Sequence, residues 1–217
     1  SGQAQPNLRI MTALEGLLFR ARTSSTPLRG LGGRVAPANV QVPRDLAIAR
    51  LHVGDARIAR GDLRGAEVEL ARGAAELDAL ASAHPDDAGL AADSALGHRA
   101  LGLFQSREGD AAAAFAELGH AGELYDRAVA GDPSNVGYTA SRAAARAELG
   151  RIRAARGDFA GAIADYRAFL ETAVQLAARD PSNLERRADV VTAHEDLGDA
   201  LFGKHDLAGA LAEHQTA

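Results

Sequence analysis

The segment LGRIRAARGDFAGAIADY, residues 149–166, decides the fold of this 217-residue chain. Gly157 suits the left-handed backbone position that ends a helix. Asp158 then suits the first cap of a new helix, because its carboxylate can accept backbone N–H bonds. Ala162 follows four positions after that cap, where a small side chain lets two helices approach closely. The segment therefore predicts two helices joined by a tight Gly-Asp turn.

The same features recur every 48 residues along the chain, which is the signature of a repeat protein. Five columns share this interval: a glycine after an apolar residue, the capping aspartate, the small alanine, a proline and an Asn or Asp. Their members are Gly54, Gly102, Gly150 and Gly198; Asp62, Asp110, Asp158 and Asp206; Ala66, Ala114, Ala162 and Ala210; Pro37, Pro85, Pro133 and Pro181; and Asn39, Asp87, Asn135 and Asn183. We therefore predict stacked helical hairpins, each made of two helices of about 20 residues and roughly 30 Å in length.

The register of the columns divides the chain into units. Three are complete, over residues 40–84, 88–131 and 135–179, and a fourth starts at Asn183 and stops about ten residues into its second helix. Since a solenoid normally ends in a polar capping element, we expect the parent protein to continue. The predicted repeat domain is 41–217, with three full repeats and a truncated fourth.

Residue counts indicate an all-α protein. Fifty of the 217 residues are alanine and 26 are leucine, and both are strong helix formers. The formal net charge of −5 argues against a nucleic-acid partner. The chain has no cysteine, which excludes thiolate metal ligands and a thiol nucleophile. No run of 18 apolar residues is present, so we predict no integral membrane segment and expect a cytoplasmic location.

The repeat resembles the tetratricopeptide repeat (TPR). Leu101-Gly102, Gly109-Asp110, Ala114, Leu118 and Ala121 stand at the spacings of that motif. The family's usual period is 34 residues, so this chain resembles a long-helix variant with a 48-residue period and about two extra turns on each helix. The resemblance covers residues 37–217. It implies an α-solenoid of stacked antiparallel hairpins that serves as a scaffold.

Residues 1–40 do not follow the repeat. Asn7–Arg22 predicts one additional amphipathic helix, and the Ser-, Gly- and Pro-rich residues 23–40 predict a flexible loop. The helix is expected to cap the first repeat. The alternatives are a helix that binds a membrane surface or a partner and a helix that belongs to an upstream domain.

Catalytic and metal-binding motifs are missing from the sequence pattern. The seven histidines form no compact ligand set, and no serine lies in a nucleophile motif. His98 and His194 share one repeat column with Arg50 and Arg146, which favours a polar residue on a helix flank. We predict a protein that is not an enzyme, with no cofactor, no catalytic residue and no metal site.

The TPR resemblance implies that the first helix of each unit lines a concave groove. The implied lining residues are Leu51, Asp55 and Ile58; Arg99, Leu103 and Arg107; Ala147, Arg151 and Ala155; and Glu195, Asp199 and Phe202. We select Arg99, Leu103, Arg107, Arg151, Glu195 and Asp199 as the candidate partner-binding residues, because three arginines suit an acidic peptide segment. The alternative is an ordinary solvated face with pairs inside each helix. The family's carboxylate clamp is not implied, because its key column holds Arg99, Ala147 and Glu195.

The favoured function is a non-catalytic scaffold that binds another protein or a peptide, as part of a larger protein. Long repeats of this kind are similar to those appended to bacterial signalling proteins such as Ser/Thr kinases. One alternative is a regulatory domain that senses a small peptide or metabolite and controls an attached effector domain. Another is self-association through the exposed end of the truncated fourth repeat.

Overall fold

The structure, a computed structural model, describes residues 40–217, and this part of the chain is helical with no strand. Its helices are α1 Gln41–Ala59, α2 Leu63–Ala83, α3 Ala88–Arg107, α4 Ala111–Gly131, α5 Val136–Ala155, α6 Phe159–Arg179, α7 Leu184–Gly203 and α8 Leu207–Thr216. The prediction of an all-α fold is confirmed. The N-terminal helix predicted at Asn7–Arg22 and the loop up to residue 39 lie outside the described residues.

The turns inside the hairpins have the predicted Gly-Asp structure. Gly61, Gly109 and Gly157 have φ angles of +78°, +87° and +79°, in the left-handed region that glycine enters without steric cost. The following aspartate caps the next helix in each case, as Asp158 does by accepting a 3.0 Å hydrogen bond from the Gly161 backbone N–H. His205 takes the glycine's place in the fourth turn with a φ of +68°.

The turns between hairpins use a second cap. Asp87, Asn135 and Asn183 each begin a helix by accepting a backbone N–H bond from the residue three positions ahead. Each follows a proline by two positions, and proline prevents the preceding helix from continuing. Helix starts therefore alternate between the two turn types along the chain.

Small residues mark the closest approach of the two helices in a hairpin. A Cβ atom added at Gly102 would lie 3.3 Å from the Ala114 carbonyl oxygen and 2.9 Å from Leu118 Cγ. Ala66, Ala114 and Ala162 are fully buried. In the third hairpin an aromatic ring packs over the glycine in place of a leucine, since a Cβ atom at Gly150 would lie 2.9 Å from the Tyr166 ring. The glycine and alanine columns thus recur because the helix crossing recurs.

The stack curves with its first helices on the inside. Neighbouring first helices approach each other (α1 with α3, α3 with α5, and α5 with α7), whereas no two second helices of residues 40–217 bring Cα atoms within 8 Å. The first helices therefore form the concave face. Each second helix packs against the first helix of the next hairpin, and the fully buried leucines of this interior are Leu70, Leu77, Leu90, Leu118 and Leu197.

Candidate binding groove on the concave face

A cavity of about 430 Å³ opens on the concave face between α3, α5 and α7. Its floor is apolar and comes from α5 and α6, with Ala143, Phe169, Ala173 and Leu176. Its rim is charged, and the charges balance: three arginines and three carboxylates. They are Arg99, Arg151 and Arg186, and Glu148, Glu185 and Asp189. We call this cavity the concave groove. An apolar floor with a few polar groups at the rim is the usual composition of a ligand pocket.

Arg99 crosses from α3 to α5, where Glu148 holds its guanidinium with both carboxylate oxygens. The Arg99 Nε atom donates to Glu148 Oε2 at 2.8 Å and to Oε1 at 3.1 Å. Burial disfavours the charged guanidinium, but the bonds to Glu148 favour it more, so the pKa of Arg99 lies above its ordinary value. Glu148 itself is 91% buried. The predicted peptide-binding arginine is therefore already engaged inside the chain.

Arg151 makes a similar contact one hairpin further along. Its Nη2 atom donates to Asp196 Oδ2 on α7 at 2.8 Å. Burial again opposes the charge and the Asp196 bond outweighs it, so the pKa of Arg151 is raised. Half of the Arg151 side chain remains exposed. Arg151 is consequently more accessible to a ligand than Arg99, whose side chain is 28% exposed.

The first junction of the stack has the same type of contact, between Arg44 of α1 and Asp93 of α3. The three pairs Arg44–Asp93, Arg99–Glu148 and Arg151–Asp196 form a series that we call the concave ion-pair ladder. Each pair joins first helices of neighbouring hairpins, so the expected alternative of pairs within one helix is wrong for these arginines. The acidic partners were missed, although opposite charges 49, 49 and 45 residues apart, close to one repeat, are a signal in the sequence.

The other predicted residues lie apart from this groove. Leu103 is half-buried, while Arg107 and Glu195 are exposed, and none of the three lines a cavity described here. Asp199 lines a smaller hollow of about 320 Å³ that it shares with Arg151, and its Oδ1 atom lies 3.4 Å from His214 Nε2. The structure thus brings Arg99 together with Arg151, and Arg151 with Asp199.

One residue of the implied lining is wrong, whereas Ala147 does line the concave groove. Leu51 is 4% exposed and belongs to the interior of the stack. It lies on the side of α1 that packs on α2, because side chains on one helix turn by about 100° per residue. The family's lining positions therefore do not transfer to the longer helices at every residue.

Solved structures with low sequence identity share this architecture. The chain is similar to BtubC (BKLC) from P. vanneervenii, with a TM-score of 0.60 and 18% identity over 99% of this chain and 72% of that one. It is also similar to a kinesin light chain from Podosopora anserina with nearly identical TPR-like repeats (TM-score 0.52, 17% identity, 97% of this chain and 85% of that one). The fold is a TPR-like solenoid.

A third similar structure is the Rap conjugation gene regulator of the plasmid pLS20 in complex with the Phr* peptide. Its TM-score is 0.55 at 15% identity, over 91% of this chain, and this solenoid spans about half of its length (49%). No protein-family model matches the sequence, and a search of curated proteins finds no match. At these identities the similarity concerns the fold.

No helix in residues 40–217 carries an apolar stretch long enough to cross a bilayer.

Proposed function

We propose that the solenoid is a non-catalytic scaffold whose concave groove holds a segment of another protein or a peptide. The observation that carries this proposal is the groove between α3, α5 and α7, with its apolar floor and its charge-balanced rim. An extended or helical segment could bury one or two apolar side chains against Phe169 and Leu176 and place polar groups at the rim. The similarity to Rap, which is described in complex with a peptide, adds support from the fold.

The charge of the partner is the finer part of the proposal. An acidic segment would have to compete with Glu148 and Asp196, which already pair with Arg99 and Arg151. Displacing Asp196 from Arg151 costs less free energy than displacing Glu148 from Arg99, because half of the Arg151 side chain is still in contact with solvent. We therefore propose that an acidic group of the partner contacts Arg151, and that Arg99 serves mainly to join α3 to α5.

A groove-blocking substitution tests the binding site directly. Ala144 lines the groove and is only partly buried, so Ala144→Trp should fill the groove without disturbing the interior. Ala164→Trp on exposed α6 is the matched control. Peptides that bind the unmodified protein are first selected from a random-sequence display library. We expect Ala144→Trp to weaken their binding by at least about tenfold, or about 1.4 kcal/mol, and Ala164→Trp to leave it unchanged. Equal binding by both variants would place the site elsewhere.

The charge of the partner is tested separately. Arg151→Glu should weaken acidic peptides more than neutral ones, whereas Arg167→Glu on exposed α6 should affect neither. Fluorescence anisotropy measures the affinity of each variant for the selected acidic and neutral peptides. If acidic and neutral peptides respond alike, the proposed contact with Arg151 is wrong while the groove itself stands.

The second candidate function is a sensor that binds a small peptide and controls an attached domain, and the peptide-bound Rap structure favours it. A small ligand that raises the melting temperature by several degrees would support the sensor. A signalling protein as the parent, a cytoplasmic location and an N-terminal domain over residues 1–40 stay predictions.

Self-association through the fourth hairpin is a further proposal. Phe202, Leu207 and Leu211 are each about 60% exposed near the end of the stack, where a following hairpin would pack in a longer solenoid. Light scattering over a range of concentrations tests it, and a constant monomer mass would exclude it.

A further inference from the structure

Away from the concave groove, three side chains from three helices meet where the first and second hairpins pack together. Asp78 lies on α2, His98 on α3 and His120 on α4, and one ligand atom from each lies within 4.8 Å of the other two. Asp78 Oδ1 is 3.6 Å from His120 Nε2 and 3.9 Å from His98 Nε2. The two imidazole rings meet edge to face with centroids 4.4 Å apart. We call this group the Asp-His-His cluster.

His98 is oriented by a carboxylate on its far side. Its Nδ1 atom lies 2.7 Å from Glu117 Oε2, and a neutral imidazole that donates from Nδ1 has a lone pair at Nε2. That Nε2 atom is buried and has no hydrogen-bond partner within the described residues. It faces an anionic oxygen at 3.9 Å, which is too long for a hydrogen bond. A lone pair and a carboxylate oxygen that face each other at this distance can be joined by a cation.

We propose that Asp78, His98 and His120 bind a zinc ion that ties the first hairpin to the second. Zinc bonds of about 2.0–2.2 Å to imidazole nitrogen and carboxylate oxygen put tetrahedral ligand atoms about 3.4 Å apart. The two observed separations from Asp78, 3.6 and 3.9 Å, are therefore within about 0.5 Å of this value, and the separation between the two imidazoles is at most 4.8 Å. Two imidazoles and one carboxylate suit zinc better than magnesium or calcium, which prefer oxygen ligands alone.

The surrounding contacts are those of a metal site. Glu117 on His98 provides the carboxylate–histidine arrangement that orients metal-binding imidazoles. Ser94, which is fully buried, donates a 3.3 Å hydrogen bond to Asp78 Oδ1. Asp78 and His120 are both about 40% exposed, so their side chains can move the remaining distance toward the ion. Three protein ligands leave the fourth position for a water molecule or a side chain of a partner.

The repeat itself provides an internal comparison. One and two repeats further on, the same three columns hold Asp126, Arg146 and Ala168, and then Val174, His194 and Thr216. At the second junction an arginine supplies the positive charge, with Arg142 Nη1 at 3.4 Å from Asp126. At the third, His194 pairs with Glu213 at 2.7 Å, as His98 pairs with Glu117, but the other two columns hold Val174 and Thr216 in place of an aspartate and a second histidine. A histidine–glutamate pair alone therefore does not account for the convergence of Asp78 and His120.

Zinc titration of the chelator-treated full chain tests the proposal. We expect one equivalent of ZnCl₂ to bind in isothermal titration calorimetry. At a hundredfold excess over the Kd, the melting temperature should rise by about 5–10 °C, whereas MgCl₂ should leave it unchanged. A Kd for zinc above about 100 μM, or an equal rise of the melting temperature with MgCl₂, would overturn the proposal.

Single substitutions then locate the ion. His120→Ala and Asp78→Asn should each weaken zinc binding by at least about tenfold, and Glu117→Gln by about 10–100-fold because it orients His98. His194→Ala removes a histidine with the same glutamate contact and should keep full zinc binding. Circular dichroism melts without zinc verify that each variant folds. If His120→Ala binds zinc as tightly as the unmodified protein, the ion is bound elsewhere and the assignment is wrong.

Discussion

The turns within the hairpins and the junctions between hairpins have opposite characters. All four turns place a residue with positive φ before a capping aspartate, and the geometry barely changes from unit to unit. Away from the concave ion-pair ladder, the junctions differ each time: the Asp-His-His cluster at the first, an Asp126–Arg142 contact at the second and a His194–Glu213 pair at the third. Helix ends require the same backbone hydrogen bonds everywhere, whereas a junction needs only good packing. Individual properties of a repeat can therefore reside at its junctions.

The largest effect is expected at the helix crossing, which the repeats share. Ala114→Leu should lower the free energy of unfolding by about 3 kcal/mol through overpacking, because Ala114 is 0% exposed. Urea denaturation measures the change. Ala112→Leu, on the exposed side of the same helix, should change stability by less than about 0.5 kcal/mol. Similar values for the two would show that the crossing tolerates larger residues.

The next effect concerns the concave ion-pair ladder, which belongs to the junctions. Glu148→Ala should cost about 2 kcal/mol, because it leaves the largely buried Arg99 guanidinium without its carboxylate. Asp196→Ala should cost about 0.5–1 kcal/mol, since Arg151 can turn to solvent. A double-mutant cycle with Arg99→Ala measures the coupling. A coupling energy near zero would mean that the ladder does not stabilise the stack.

A smaller effect tests whether the turns are equivalent. Asp110→Ala and Asp158→Ala should each cost about 1 kcal/mol, because each removes one capping bond to a backbone N–H. Asp110→Asn should be nearly neutral, since asparagine caps equally well. Chemical denaturation of the three variants checks this. Unequal losses at the two aspartates would show that the units differ even at their turns.

The smallest effect is a pH dependence at the first turn. The hydrogen bond from the Gly65 backbone N–H lowers the pKa of Asp62 below its ordinary value of 3.8, and the hydrogen bond from Arg57 lowers it further. A carboxyl with a lowered pKa stabilises the fold while it is ionised, so its contribution is present above about pH 3.8 and is lost as the pH falls through the lower folded value. The melting-temperature difference between the unmodified protein and Asp62→Asn should therefore shrink from pH 7 to pH 2.5. Asn135 caps a helix without a titrating group. The melting-temperature difference between the unmodified protein and Asn135→Ala should therefore change less over the same pH range.

The sequence predicts the features that depend on neighbouring residues. The sequence identifies the Gly-Asp turns, their capping aspartates and the small crossing residues correctly, because helix ends depend on a few adjacent residues. The groove was predicted less well. Arg99 and Arg151 do lie together there, but their engagement by Glu148 and Asp196 depends on how neighbouring hairpins align. The sequence predicts Leu51 in the groove, but Leu51 is buried, because the pattern does not specify how each first helix is rotated.

The amino-acid sequence by itself determined that this protein is a stack of helical hairpins and where each helix begins. Those properties follow from the repeat and from local backbone hydrogen bonding. Only the tertiary structure decided which side chains meet across hairpins. The ligand atoms of Asp78, His98 and His120 come from residues 20 and 22 positions apart, without a ligand motif. Their meeting depends on packing between three helices, which no local pattern encodes.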